Sequence, residues 1–312
     1  MQEIDLTKSK DVIGAYNSID FSYERKTYTD YGTQYCFNVL DGKIVAGYNI
    51  QLACFRHLRD LQRQGDSDFP YVYSVEAFNR FLKFLSLVPN VDDLSQKLEP
   101  MDWQYFIFAQ LFAWFDLDDV PRFSNIIISI ARSQGKTMIA GICLNFSYLI
   151  EIIGQSNQDF LVSSLNFDQT MKLFTYVKSM MARIIENEPF KSLAEETQLQ
   201  LYSREIKSLV DANTIHTISF ESGKFDGKHF KLAVADEVGE LRTDEGVSKI
   251  TSGQVNTEGS RFIEISTSYQ TPDVPFHQEQ KKLIEIMERD FDRSGDDQLC
   301  LIWSQDNLEE VF

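Results

Sequence analysis

The sequence predicts an α/β protein, with a mostly parallel central sheet flanked by helices and a helical N-terminal region before it. Short apolar runs rich in β-branched residues are typical of strands buried on both faces, and they occur at 126–130, 159–163, 230–235 and 261–265. Helices are predicted after the first two runs. Strands that alternate with helices indicate a parallel sheet. A further strand pair is predicted at 206–210 and 214–220.

Composition places the chain among globular proteins. Of its 312 residues, 43% are hydrophobic and 13% aromatic, enough to build a full core and to exclude a disordered chain. No apolar run reaches the ~18 residues of a membrane span, and the first residues lack a signal-peptide core. The widely spaced cysteines favour free thiols in a reducing cytosol; they are Cys36, Cys54, Cys143 and Cys300.

The first 100 residues are interpreted as a helical region packed on a core domain that comprises residues 101–312. Residues 1–30 are polar and weakly patterned, so we expect a loosely ordered start. Helical spacing of apolar residues follows, at Ile50, Ala53, Cys54, Leu58 and Leu61 and at Phe78, Phe81, Leu82 and Leu85. Ser74 is the predicted N-cap of the second of these helices.

Three more segments have distinct patterns. Residues 62–70 are predicted to be a loop, and residues 102–115 an aromatic-rich helix. The charged segment 290–297 is expected to be a solvated loop. The pair Cys54 and His57 lies on one helix, and we interpret it as packing rather than as metal ligation.

The first functional motif is a phosphate-binding loop between the first strand and the next helix. It reads Ala131-Arg132-Ser133-Gln134-Gly135-Lys136-Thr137. Backbone N–H groups at a helix N-terminus attract anions, and Gly135 permits close approach. Lys136 would reach the β- and γ-phosphates of ATP, and Thr137 would ligate Mg²⁺. Ile130 replaces the first glycine of the full pattern, so a helix start with a solvated lysine is the alternative.

The second motif is an apolar strand that ends in two adjacent carboxylates, Asp236 and Glu237. Phosphoryl transfer to water needs one acidic group near the metal and one that orients the water. Asp236 would hold Mg²⁺, and Glu237 would be the general base. The alternative is a helix N-terminus, where acidic residues are favoured in any case.

A third strand ends in hydroxyl residues and is a candidate γ-phosphate sensor; these residues are Ser266, Thr267 and Ser268. About 100 residues and one strand–helix unit separate the first two motifs. This spacing suits a sheet with an additional strand between the phosphate-loop strand and the acidic strand, as in P-loop ATPases with a catalytic Glu. Ligands of such sheets bind at the carboxyl ends of strands.

These motifs resemble those of the large terminase subunits of tailed bacteriophages, from about Tyr35 to the end. That family loses the first glycine of the loop and places an arginine inside it, as Arg132 is placed here. Asp236 and Glu237 look like its second ATPase motif. Residues 266–268 look like its coupling motif, which links hydrolysis to DNA movement.

The resemblance also implies a base contact and an arginine finger. Residues 98–104 resemble the segment that contacts adenine, so Gln104 would read the base, with Trp103 nearby. The finger has two candidates. Arg132 would act in cis and is preferred, whereas Arg242 would act on a neighbouring subunit's site.

What the resemblance implies is an ATP-hydrolysing motor that moves double-stranded viral DNA into a procapsid, in the host cell cytoplasm. Its implied partners are the portal protein and the small terminase subunit, in a homo-oligomeric ring that can be monomeric in isolation. The family carries a second, nuclease domain with an acidic metal cluster. Nothing recognisable after Ser268 supplies one, so we expect a chain that ends after the ATPase domain and has no nuclease activity.

The formal net charge of -17 counts against a surface that grips nucleic acid everywhere. A motor that releases DNA in each cycle needs local contacts only. Candidates are Lys172, Lys178, Arg183 and Lys191, or Lys224, Lys228 and Lys231. Ordinary solvated lysines are the alternative.

Two other functions remain open. A helicase-like DNA-dependent ATPase needs a second motor domain, and the roughly 45 residues after the third strand are too few for one. A scaffold that binds nucleotide without turnover has no need of a water-polarising carboxylate, so Glu237 argues against it.

Overall fold

The structure is a computed structural model that describes residues 2–90, 93, 96–267, 273–304 and 306. The helices are α1 (Val12–Asn17), α2 (Ser22–Thr27), α3 (Tyr31–Leu40), α4 (Tyr48–Arg63), α5 (Val75–Leu85), α6 (Asp102–Ala113), α7 (Lys136–Phe146), α8 (Phe167–Ile184), α9 (Phe190–Glu196), α10 (Glu245–Gln254) and α11 (Pro275–Glu288). The strands are β1 (Tyr71–Tyr73), β2 (Trp114–Asp116), β3 (Asn125–Ser129), β4 (Asp159–Ser163), β5 (Leu199–Leu201), β6 (Glu205–Ser208), β7 (Thr214–Thr217), β8 (Phe230–Asp236), β9 (Arg261–Ser266) and β10 (Gln298–Ile302).

The chain forms two compact units. The first comprises Met1–Asn79, Pro100–Ile130 and His277–Phe312, and the second comprises Arg80–Glu99 and Ala131–Phe276. The predicted domains, 1–100 and 101–312, remain a prediction.

The first unit contains the early helices and two strand pairs. β1 and β2 are antiparallel, and β10 runs parallel to β3. The described part of the chain contains no helix with the length and apolarity of a membrane span.

The second unit contains six strands in the order β9-β8-β4-β7-β6-β5. The first four are parallel, while β6 and β5 are antiparallel additions at the edge. Helices α7, α8 and α10 pack on these strands. The predicted α/β class with mostly parallel strands is therefore confirmed. The predicted pair at 206–210 and 214–220 forms as the shorter β6 and β7.

The expectation of a loosely ordered start is wrong. Asp11 caps α1 by accepting a hydrogen bond from Gly14 N–H at 2.8 Å. Tyr16 stacks on Phe21 with ring centroids 5.4 Å apart, and both side chains are buried. The Tyr16 hydroxyl bonds Asp41 at 2.8 Å. Two apolar residues in a polar segment thus suffice to order it, because later residues cover them.

The predicted aromatic helix ends two residues early. The backbone of Trp114 is extended (φ -96°, ψ 126°), and Trp114 pairs with Tyr73 across the β1–β2 ribbon. The predicted N-cap of α5 is confirmed, since Ser74 Oγ accepts from Ala77 N–H at 3.1 Å. The packing interpretation of His57 is also confirmed, because its buried ring contacts Thr33 at 3.0 Å and Gln110 at 2.9 Å.

The expectation that residues 290–297 form a solvated loop is wrong as well. Asp290 is buried, and Arg59 donates to its Oδ2 from Nε at 3.0 Å and from Nη2 at 2.9 Å. Arg63 pairs with the other carboxylate oxygen. A buried arginine alone would carry a large desolvation cost, so each arginine needs this carboxylate.

Asp290→Ala is expected to lower the free energy of unfolding by about 3–5 kcal/mol, because it leaves two buried guanidinium groups without their shared partner. Urea unfolding measures the change. Asp292→Ala is the matched control in the same loop, since Asp292 bonds only Ser294 in the described residues, and it is expected to cost about 1 kcal/mol or less. Equal losses in the two variants would contradict the buried pair.

Candidate active site

The loop at 131–137 has the backbone of an anion site. Residues 131–134 are exposed, and Ser133 and Gly135 are both left-handed, with φ of 61° and 79°. Gly135 is the N-cap of α7, and no side chain caps this end of the helix. The first N–H groups of a helix have no intrahelical partner. The residues present therefore fit a phosphate group, which these N–H groups would bind.

Lys136 connects this loop to the acidic pair. Its side chain is buried, and its Nζ lies 3.9 Å from Oε1 of Glu237. Two motifs about 100 residues apart in sequence thus meet within one compact unit. A lysine in this position can bind an anionic phosphate on one side and the carboxylate on the other.

The two carboxylates share a poorly solvated position at the end of β8. Burial, followed by the charge of Glu237, raises the pKa of Asp236 to about 6, and the ammonium groups of Lys136 and Lys172 oppose this rise. Raised carboxyl pKa values are what a divalent cation relieves. Asp236 and the half-buried Thr137 are the residues that would hold Mg²⁺. Magnesium commonly keeps waters and takes only one or two carboxylates, which fits the finding that the described residues contain no cluster of three metal-ligating side chains.

Glu237 has an unusual backbone. Its φ of 60° and ψ of 27° are left-handed, which costs a residue other than glycine about 1–3 kcal/mol. The conformation is held by two hydrogen bonds from its N–H, to Ile265 O at 2.8 Å and to Asp236 Oδ1 at 3.0 Å. Strain of this kind is concentrated at functional sites, and here it sets the direction of the Glu237 side chain.

The hydroxyls at the end of β9 differ in their bonding. Ser266 Oγ is buried, accepts from Gly239 N–H at 2.9 Å and donates to Thr267 O at 3.1 Å. The Thr267 hydroxyl is buried too, but it has no hydrogen-bond partner among the described residues. Ser268 lies outside the described residues. Thr267 is therefore the hydroxyl that is available to a ligand.

The predicted adenine contacts belong to the first unit. Gln104 is buried, and its side-chain oxygen accepts from Met101 N–H at 3.0 Å, which caps α6. The Trp103 ring lies 5.1 Å from the Trp303 ring. Their role at a base remains a prediction. Arg132 and Arg242 are both exposed in the second unit, and the choice between them as the finger also remains a prediction.

Several of the predicted DNA-contact residues already have partners. Lys178 donates to Tyr202 O at 3.0 Å, and Arg183 pairs with Glu186 at 3.2 Å. Lys172 acts on Asp236 through its charge. These contacts leave the DNA surface a prediction.

Sequence reasoning missed Ser164 and Thr170. Ser164 Oγ donates to Asp236 O at 3.1 Å, and Ser164 N–H donates to Thr170 Oγ1 at 3.0 Å. One signal was present: two serines stand where β4 ends, at the same edge of parallel strands as the acidic pair.

Comparison with known proteins identifies the family. The sequence matches "Terminase large subunit, ATPase domain" over residues 102–283, more than half of the chain. A search of curated proteins finds no match.

Solved structures give the same picture of the fold. The crystal structure of the bacteriophage HK97 large terminase is similar with a TM-score of 0.58 and 18% identity, over 74% of this chain and 45% of that one. This chain thus spans less than half the length of that terminase. A mutant ATPase domain of the Thermus phage P74-26 large terminase gives 0.46 and 13%, over 64% and 72% of the two chains. The large terminase of a thermophilic bacteriophage in complex with ADP gives 0.35 and 16%, over 58% and 40%.

The phosphate loop, the acidic pair and the fold lie within or around the matched region, and the match covers most of the chain. This chain belongs to the family of ATPase domains of terminase large subunits, the ATP-hydrolysing motors of phage DNA packaging.

Proposed function

We propose that this domain couples Mg²⁺-dependent ATP hydrolysis to the translocation of double-stranded viral DNA into a procapsid. The observation that carries the proposal is the 3.9 Å approach of Lys136 to Glu237. It brings the phosphate-binding lysine and a strained carboxylate into one site. A nucleotide-binding scaffold has no use for that carboxylate.

The residues of the site divide the reaction among them. The N–H groups at the start of α7 bind the phosphates, and Lys136 moves from Glu237 to the β- and γ-phosphates when nucleotide enters. Thr137 and Asp236 would hold Mg²⁺, which supplies charge neutralisation at the phosphates. Glu237, released by Lys136, takes the proton of the attacking water. An arginine finger, Arg132 or Arg242, stabilises the charge on the transferred group.

The wider assembly is part of the same proposal. The domain would work in the host cell cytoplasm, in a homo-oligomeric ring at the portal protein, with the small terminase subunit as a further partner. The family supports these partners, and the net charge of -17 supports brief, local DNA contacts rather than a continuous basic surface.

Glu237→Gln is expected to lower ATP turnover by about 10²–10⁴-fold, because a general base contributes about that much. Binding of a fluorescent ATP analogue should persist, since the phosphate loop is unchanged. Mg²⁺-dependent phosphate release measures turnover. Glu240→Gln makes the same change at an exposed position three residues away and should retain the parental rate. Parental turnover by Glu237→Gln would show that the base is misassigned, and a parent without turnover at any protein concentration would favour the scaffold.

The arginine finger is tested by mixing variants. If Arg132 acts in cis, Arg132→Ala loses about 10³–10⁵-fold in turnover, and adding Glu237→Gln chains does not restore it, since every site lacks one group. If Arg242 acts in trans, Arg242→Ala mixed with Glu237→Gln regains activity at sites that combine an intact Glu237 with a neighbour's intact Arg242. Recovery in the second mixture would overturn the preference for Arg132.

Thr267→Val is expected to raise the free energy of unfolding by about 1 kcal/mol, because it removes a buried hydroxyl that has no partner. Turnover should fall about ten-fold or more if this hydroxyl contacts the γ-phosphate. Ser163→Ala is the control, since the Ser163 hydroxyl is equally buried and unpaired in the described residues. It should gain stability without losing turnover. Unchanged turnover in Thr267→Val would exclude the sensor role.

A further inference from the structure

The strand β8 loses its partner on one side just before the acidic pair. Its pairing with β4 ends at Ala235 opposite Ser163, whereas its pairing with β9 continues to Asp236 opposite Ile265. On the β4 side, the Ser164 hydroxyl takes the place of a backbone partner and donates to Asp236 O at 3.1 Å. A side chain thus completes the ladder where the catalytic segment begins.

Ser164 is itself fixed in place. It is buried, its N–H donates to Thr170 Oγ1 at 3.0 Å, and its carbonyl oxygen accepts from Phe220 N–H at 3.0 Å. Thr170 is fully buried in the first turn of α8 and donates to Asn166 O at 2.9 Å. The hydroxyl that contacts Asp236 is therefore attached to the start of α8.

The peptide between Asp236 and Glu237 is planar, so its C=O and N–H point in opposite directions and rotate together. Ile265 O holds the N–H from the β9 side at 2.8 Å. Ser164 holds the C=O from the β4 side. One rotation of this plane changes φ of Glu237 and therefore the direction of its carboxylate. With Ile265 alone, the plane is restrained at one end only.

We propose that Ser164 is a positioning residue for Glu237, and that Thr170 transmits this restraint from α8. The inference rests on the proposed role of Glu237 as the general base. Ser164 touches neither nucleotide nor water. It keeps Glu237 in the left-handed conformation from which the carboxylate reaches the water.

The test compares Ser164→Ala with Ser163→Ala, the same chemical change one residue earlier. Ser164→Ala is expected to lower kcat about ten-fold, with less than about a two-fold change in KM and in the Kd of an ATP analogue. Ser163→Ala should match the parent. Thr170→Val should reproduce part of the loss, and Thr170→Ser, which keeps the hydroxyl, should restore kcat. Thermal unfolding midpoints measured on the same samples separate positioning from instability.

Each other outcome overturns the proposal. It fails if Ser164→Ala is as active as Ser163→Ala while Glu237→Gln is inactive, and in that case the proposed function stands. It fails if kcat and the analogue Kd change together, since the residue then supports the whole site. Should Ser164→Ala not fold, equal kcat in Thr170→Val and Thr170→Ser is the result that rejects it. Parental turnover by Glu237→Gln removes the base and the positioning residue together. In the Glu237→Gln background, Ser164→Ala should add no further loss, because both act on one group.

Discussion

The site depends on the left-handed backbone of Glu237 at the end of β8. Its conformation costs about 1–3 kcal/mol, while one hydrogen bond contributes about 0.5–1.5 kcal/mol net. One bond therefore does not secure it, and the structure supplies several. Ile265 O and Asp236 Oδ1 accept from Glu237 N–H, and Ser266 Oγ fixes the following turn at Gly239. A strained glutamate held this firmly keeps its carboxylate beside Lys136 without a ligand to organise it.

Electrostatics explains why the site needs both a cation and a nucleotide to work. Two adjacent carboxylates with little solvent disfavour each other's charge, and the pKa of Asp236 is accordingly raised to about 6. Lys136 offsets part of this by lying 3.9 Å from Glu237. When phosphates draw Lys136 away, the carboxylates lose that compensation. A divalent cation at Asp236 would then restore it, so binding of nucleotide and of metal should favour each other.

The sequence predicts those parts of the fold that depend on local pattern. Buried β-branched runs mark the parallel strands, and the loop at 131–137 and the acidic pair stand at their ends. It fails where a residue's environment comes from distant chain. The partner of Asp290 lies about 230 residues away in Arg59 and Arg63, and the strand that removes Trp114 from its helix is about 40 residues earlier. Ser164 is 72 residues from Asp236, so no spacing rule marks it.

Ser164 and Ser266 hold the acidic segment from its two neighbouring strands. Ser164, at the end of β4, donates to Asp236 O, and Ser266, at the end of β9, accepts from Gly239 N–H. These hydroxyls stand where backbone pairing stops, so the segment between them is held by single side-chain bonds rather than by a ladder. Such bonds can be exchanged at small cost, whereas a strand register cannot. A change at the phosphates that moves Glu237 would therefore reach α8 through Ser164 and Thr170, and the end of β9 through Ser266, while the sheet stays intact. A motor needs this combination, because it must change shape in every cycle and keep its fold.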